Sequence, residues 1–202
     1  VMTIKKAQYV YGFALFEQYK PMQFPEIALA GRSNVGKSSL INMLTNNSKL
    51  ARVASTPGKT SMINVFLIND ALTLMDLPGY GYAKVSNAEK ERWSNLIESY
   101  LHKSRNLAHV FLLLDIRHKP TADDLTMIKW LKYYQKPFSI IATKADKLSK
   151  SQLSKQLLEL SRETGMIVND IYPVSSISGQ GKDKILLKIG EILQNYSLKQ
   201  QD

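Results

Sequence analysis

Cysteine is absent from all 202 residues, which excludes disulfides, thiolate metal sites and a cysteine nucleophile. It also fits, weakly, a reducing cytoplasm. Acidic residues are scarce: 17 Asp and Glu stand against 27 Lys and Arg, a formal charge of +10. Such an excess favours an anionic partner, nucleic acid or an acidic membrane surface, over an acidic substrate; the plainer alternative is a soluble basic enzyme. Long apolar runs are missing too. The most apolar stretch, Leu107 to Leu114, contains His109 and falls well short of the roughly 20 residues that cross a bilayer, so no membrane span is expected. No long apolar region with a small-residue cleavage site follows Val1 to Lys6, so no signal peptide is expected either. Repeats, low-complexity tracts and Gly/Ser linkers are likewise missing, and the length suits one domain with one sizeable core.

What is present is alternation. Short runs rich in Ile, Leu, Val and Phe at Ile27 to Ala30, Met62 to Ile68, Leu72 to Leu77, Val110 to Leu114, Phe138 to Ala142 and Ile171 to Val174 read as strands. Apolar residues at helical spacing lie between most of them: Trp93, Leu96, Ile97, Tyr100 and Leu101; Leu125, Ile128 and Leu131; Leu153, Leu157 and Leu160; Ile185, Ile189, Ile192 and Tyr196. This order predicts an α/β fold, a mostly parallel six-stranded sheet with helices on both faces. The runs flanking Asn69-Asp70 are joined too closely for a crossover helix and predict an antiparallel hairpin at one sheet edge. Residues 1–25, with Tyr9, Tyr11, Phe13, Leu15 and Phe16, predict a strand or collar packed on the main domain at 26–197, and residues 198–202 a polar tail.

Gly31-Arg32-Ser33-Asn34-Val35-Gly36-Lys37-Ser38 sits between the first of these strands and a helix-forming stretch, the context a phosphate-binding loop requires. Its glycines let backbone N–H groups turn toward phosphate oxygens, and the following helix presents its positive dipole end. Lys37 is placed to bridge β- and γ-phosphates and Ser38 to put a hydroxyl on Mg²⁺. Asp76-Leu77-Pro78-Gly79, at another strand end, positions Asp76 to hold Mg²⁺ through water and the Gly79 N–H to touch a γ-phosphate. By itself Asp-x-x-Gly is a common turn. Thr143-Lys144-Ala145-Asp146 ends a third strand. The Asp146 carboxylate can accept from both N1–H and the 2-amino group of guanine, a pair adenine does not offer, while the Lys144 stem covers the base. Ser175-Ser176-Ile177 is placed to offer a backbone N–H to the guanine 6-oxo group. Between the phosphate loop and the hairpin a threonine must reach Mg²⁺; Thr60 is chosen over Thr56, whose following proline biases it toward extended backbone.

Taken together, these segments resemble the EngB GTPases, also called YihA or YsxC, in the wider group that includes Era, EngA and TrmE. The matching pieces run from Pro25-Glu26-Ile27-Ala28 through the phosphate loop to Thr56-Pro57-Gly58-Lys59-Thr60. They continue with Asp76 to Lys84, Asp115-Ile116-Arg117-His118, Thr143 to Lys147 and Gly181-Lys182-Asp183. The resemblance implies a cytoplasmic GTPase that assists large ribosomal subunit assembly and is needed for normal cell division and septation. It implies Mg²⁺ on Ser38 and Thr60, and nucleotide contacts that extend over Gly58, Lys59, Thr60, Ser61 and Met62. Lys37, Thr60 and Gly79 are the expected catalytic positions, and a monomer is the expected state.

Tyr80 stands where many GTPases carry a water-orienting glutamine, so slow unaided hydrolysis is expected. Asn34 makes K⁺ a candidate second ion, supplying charge between the β- and γ-phosphates; the alternative is that Asn34 only shapes the loop. Ribosomal RNA would meet Lys and Arg such as Lys103, Arg105, Arg117, Lys119, Lys182, Lys184 and Lys188. A signalling GTPase acting through a protein effector of the division machinery is the rival reading, and a P-loop kinase or ATPase is a third that Asp146 argues against. His109 reads as a satisfied core or edge residue, and His118 as an RNA contact or a loop cap.

Overall fold

The computed structural model describes residues 2–51, 61–81 and 85–199. Among them, seven strands form one sheet: β1 (Ala7–Phe13), β2 (Glu26–Gly31), β3 (Ile63–Ile68), β4 (Leu72–Asp76), β5 (Leu107–Asp115), β6 (Phe138–Thr143) and β7 (Ile171–Pro173). Helices α1 (Lys37–Thr45), α2 (Asn87–Lys103), α3 (Ala122–Tyr133), α4 (Lys150–Thr164) and α5 (Lys182–Lys199) complete the order. In space the strands run β1-β3-β4-β2-β5-β6-β7. The pairs from β4 to β7 are parallel, while β3 is antiparallel to both β4 and β1.

The sheet therefore has seven strands and not six, and the β3–β4 hairpin is not its edge. Tyr9 pairs with Phe66 and Phe13 with Ile63, so β1 covers the hairpin, with a register shift between Tyr9 and Tyr11. An uncovered β3 would expose a row of unpaired N–H and C=O groups. The hairpin turn is Asn69-Asp70, with φ of 52° and 49°, the left-handed pair that a two-residue hairpin demands and that Asn and Asp tolerate. Asn69 also accepts from the Lys5 and Lys6 N–H groups and donates to the Thr3 carbonyl, tying the first residues to the hairpin.

Side-chain alternation divides the core between two faces. Ile27 and Leu29 of β2 pack with Leu40, Ile41 and Leu44 of α1 and Ile185 and Ile189 of α5. Ala28 and Ala30 face the other way, toward Leu96, Ile97 and Tyr100 of α2 and Met127, Ile128 and Leu131 of α3. Reciprocal capping boxes start three helices: Ser86 with Glu89 for α2, Thr121 with Asp124 for α3, and Ser149 with Gln152 for α4. Below β2, the buried Glu26 carboxylate accepts from the hydroxyls of Tyr19 (2.6 Å), Tyr100 (2.7 Å) and Ser104 (2.9 Å). Three donors compensate a charge that burial would otherwise disfavour, and they fasten Tyr19 to the core.

Candidate nucleotide-binding site

Because β2, β4, β6 and β7 run in parallel, their C-terminal ends deliver Gly31–Ser38, Asp76–Gly79, Thr143–Asp146 and Ser175–Ile177 to one edge of the sheet. Gly58, Lys59 and Thr60 lie outside the described residues. Ser61 and Met62 lead into β3.

The phosphate loop is a nest of free donors. Ser33 N–H donates to the Tyr80 carbonyl and Val35 N–H to the Arg32 carbonyl. Among the described residues, the N–H groups of Asn34, Gly36, Lys37, Ser38 and Ser39 have no protein acceptor. Five unpaired donors at the start of α1 form a concave anion site reinforced by the helix dipole. The curl depends on Asn34 at φ 61° and Gly36 at φ 114°. Asparagine tolerates the left-handed region, which accounts for Asn34 as a loop former.

Asp76 closes β4 opposite this nest. The Lys37 Nζ lies 2.9 Å from Asp76 Oδ1, yet off the direction of a true hydrogen bond, so this buried oxygen lacks a directed donor. An orphaned carboxylate oxygen beside the Ser38 hydroxyl's helix turn is the donor chemistry that a hard cation and its waters match. In this structure the ammonium supplies the positive charge.

The Asp-x-x-Gly turn packs directly on the loop. A Cβ on Gly79 would sit 3.0 Å from Ser33 N and Cα, contacts no real side chain makes comfortably, so glycine is needed for the approach. A parallel bridge joins Arg32 to Tyr80. The Tyr80 side chain turns inward, its hydroxyl donating to Asp124 Oδ1 at 2.6 Å and its ring set edge-on to Trp93. Burial, and then the neighbouring Asp124 carboxylate, push its phenol well above the usual tyrosine range.

Thr143 differs from the asparagine common at this position, and the structure gives it a role: its Oγ1 donates to the Val35 carbonyl at 2.8 Å and lies 3.2 Å from that of Leu114. The hydroxyl thus joins β6 to the phosphate loop. Lys144, at φ 63°, reaches the Asn34 carbonyl (3.3 Å) and Asp115 Oδ2 (3.0 Å). Asp115 also accepts from Arg117 Nε and Nη2. Desolvation would raise the Asp115 pKa, but Arg117 and Lys144 outweigh it and hold the carboxyl well below the usual carboxylate range. The Asp146 pKa is lowered, by the Ser175 hydroxyl foremost, so the carboxylate stays ionised as an acceptor.

The last element separates its three candidates. Ser175 is buried and its N–H donates to the Gln180 carbonyl, while the Ile177 N–H donates to Ser175 Oγ. The Ser176 N–H has no acceptor among the described residues. Gly181 shapes this loop, since a Cβ there would collide with the Pro173 carbonyl oxygen.

Two residues had no role assigned from sequence, Asp115 and Asp124. Asp124 caps α3 through Thr121, and its bond to Tyr80 spans 44 positions. The basic residues expected to share one surface do not. Arg117 is paired with Asp115, Lys119 with Glu159 and Glu163, and Lys188 with Glu191, whereas Lys103 ends α2 and Arg105 follows it, at the opposite edge of the sheet. His109 is buried, bonded to Ser139 Oγ at 2.9 Å. His118 lines a cavity of about 210 Å³ behind the phosphate loop. No helix is long and apolar enough to cross a membrane among the described residues.

Comparison with known proteins agrees with this geometry. Residues 26–144 match the family described as 50S ribosome-binding GTPase. The chain is 50% identical to a probable GTP-binding protein EngB of Clostridium kluyveri, over 97% of this chain and 100% of that one. It is 46% identical to the one of Alkaliphilus oremlandii, over 95% and 92%. A solved structure of a probable GTP-binding protein engB superposes with a TM-score of 0.71 at 21% identity, covering 84% of this chain and 99% of the other, a likeness of fold. The matched family model and the 50% and 46% identity to these relatives over nearly their full length lead to one assignment: the chain belongs to the EngB family of GTP-binding GTPases.

Proposed function

We propose that this GTPase is a slow, nucleotide-controlled switch in assembly of the large ribosomal subunit, acting in the cytoplasm as a monomer and needed for normal cell division and septation. The observation that carries the nucleotide part is the set of N–H groups of Asn34, Gly36, Lys37, Ser38 and Ser39 without an acceptor among the described residues, with Lys37 reaching Asp76. Ribosome assembly is supported by the description of the matched family and by the charge of +10.

In this reading Ser38 and Thr60 hold Mg²⁺ directly and Asp76 holds it through water. Bound there, Mg²⁺ would neutralise charge on the β- and γ-phosphates. With nucleotide and Mg²⁺ bound, Lys37 would serve the phosphates and Asp76 would hold the hydrated cation. The Gly79 N–H contacts the γ-phosphate and registers its loss. Asp146 reads the guanine N1–H and 2-amino group, Lys144 covers the base, and the Ser176 N–H serves the 6-oxo group. Hydrolysis is slow because Tyr80 has no amide and its hydroxyl is committed to Asp124. K⁺ beside Asn34 is the ion proposed to complete the site.

The test is cosedimentation with large ribosomal subunits in GDP, GTP and a non-hydrolysable analogue across a salt series. Binding that depends on nucleotide and falls steeply with salt is expected, as phosphate contacts require. Binding to a division protein with little salt dependence, and none to subunits, would favour the effector reading instead.

A further inference from the structure

Helices α2 and α3 both end at the sheet edge away from the nucleotide loops, because β5 and β6 start there. Lys136 Nζ donates to the Ser104 carbonyl at 3.2 Å and holds the two ends together. Three rings stand on this seam. His102 and Tyr134 have centroids 5.5 Å apart, and Tyr134 and Tyr133 are 5.0 Å apart at 85°. With Gln135 they border an open depression of about 440 Å³. Tyr133 is 79% exposed, a large ring that the fold leaves in water.

Lys37, Arg117 and Lys144 beside the nucleotide loops are ion-paired, whereas the cations of the seam are not. Lys103 lies over the Phe16 ring at 5.3 Å, Arg105 follows it, and Lys129 is one turn before Tyr133 on the same helix face. Among the described residues, none of these three forms an ion pair. Glu98, the carboxylate within the cluster, accepts from the Tyr134 hydroxyl at 3.3 Å. Complementing a helix dipole explains His102 and Lys103 in the last turn of α2. It does not explain a bare tyrosine beside them.

We propose that this seam docks a single-stranded segment of RNA, with bases stacked on Tyr133 and His102 and phosphates on Lys103, Arg105 and Lys129. Exposed rings interleaved with unpaired cations are the chemistry of sequence-tolerant single-strand binding. The proposal rests on the ribosome reading above and names a surface for it. Lying on the edge away from the nucleotide, the seam binds RNA without competing with GTP.

The full chain, loaded with a non-hydrolysable GTP analogue, is titrated with a short labelled oligouridine and separately cosedimented with large subunits. Tyr133→Ala is expected to weaken oligouridine binding about tenfold, with Tyr133→Phe within about twofold of the parent. Lys103→Gln with Arg105→Gln is expected to lower the salt slope of oligouridine binding by roughly 1.4. GDP affinity stays unchanged in all of them. Unaltered oligouridine affinity in Tyr133→Ala, with subunit binding intact, overturns the seam and leaves the ribosome reading standing. Loss of subunit binding with oligouridine affinity unaltered assigns the face to a protein and also overturns the RNA proposal. Failure of the parent chain to bind subunits at low salt overturns both readings.

Discussion

The Tyr80 hydroxyl donates a 2.6 Å hydrogen bond to Asp124 Oδ1, and the same carboxylate caps α3 through Thr121. The residue that follows the Asp-x-x-Gly turn is thereby fixed to the first turn of a core helix. Tyr80→Phe leaves Asp124 Oδ1 buried without that donor and is expected to cost about 1–2 kcal/mol of stability in urea unfolding. Single-turnover GTP hydrolysis should stay within about threefold of the parent, since the lost hydroxyl points away from the phosphate nest. A fall beyond tenfold would place the phenol in the chemistry.

In the proposed function Asp146 selects the base through two accepted hydrogen bonds. Asp146→Asn replaces one acceptor by a donor, which opposes the guanine 2-amino group and matches the 2-oxo group of xanthine. Equilibrium titration should show GTP affinity reduced on the order of a hundredfold and xanthosine triphosphate now preferred. Equal loss for both nucleotides would remove Asp146 from base recognition.

Asp115 fixes the Lys144 ammonium at 3.0 Å and Arg117 on its other side. Asp115→Asn removes the charge and leaves Lys144 with neutral acceptors such as the Asn34 carbonyl. GDP and GTP affinities are expected to fall together by about tenfold, the worth of a charge-assisted hydrogen bond. Stopped-flow nucleotide release should locate the loss in a faster off-rate. The melting of the nucleotide-free chain controls for a change in fold.

His109 carries a pH dependence. Burial, and then the Lys188 charge, push its imidazole down to about 4, below the value of about 6.5 it has when unfolded. Between these values the unfolded chain binds the extra proton, so the stability is fully present above pH 6.5 and is lost as pH falls toward 4. The loss from this one group is roughly 3 kcal/mol at most. Denaturant unfolding of the parent and of His109→Gln from pH 7.5 to 4.5 should show a steeper decline in the parent. Parallel curves would dissociate His109 from it.

Much of this protein is written locally. A run of apolar residues followed by Gly31 to Ser38 dictates strand, loop and helix from spacing and turn chemistry, with glycine and asparagine where the backbone turns left-handed. The Asn69-Asp70 hairpin is legible for the same reason. The first strand was harder to read. Ala7–Phe13 pairs with residues 50 to 61 positions away, and nothing in its own composition says which strand it will cover.

The sequence by itself determined the order of strands and helices and the phosphate loop, because both depend on neighbours within a few residues. Only the tertiary structure decided that Thr143 braces the loop, that Asp115 holds Lys144, and that Tyr80 faces Asp124. It also left Lys103, Arg105 and Lys129 without an ion pair among the described residues while pairing Lys37, Arg117 and Lys144 beside the nucleotide loops. Those relations join residues far apart in the chain, and hydrogen bonds and ion pairs exist only once packing has set distance and direction.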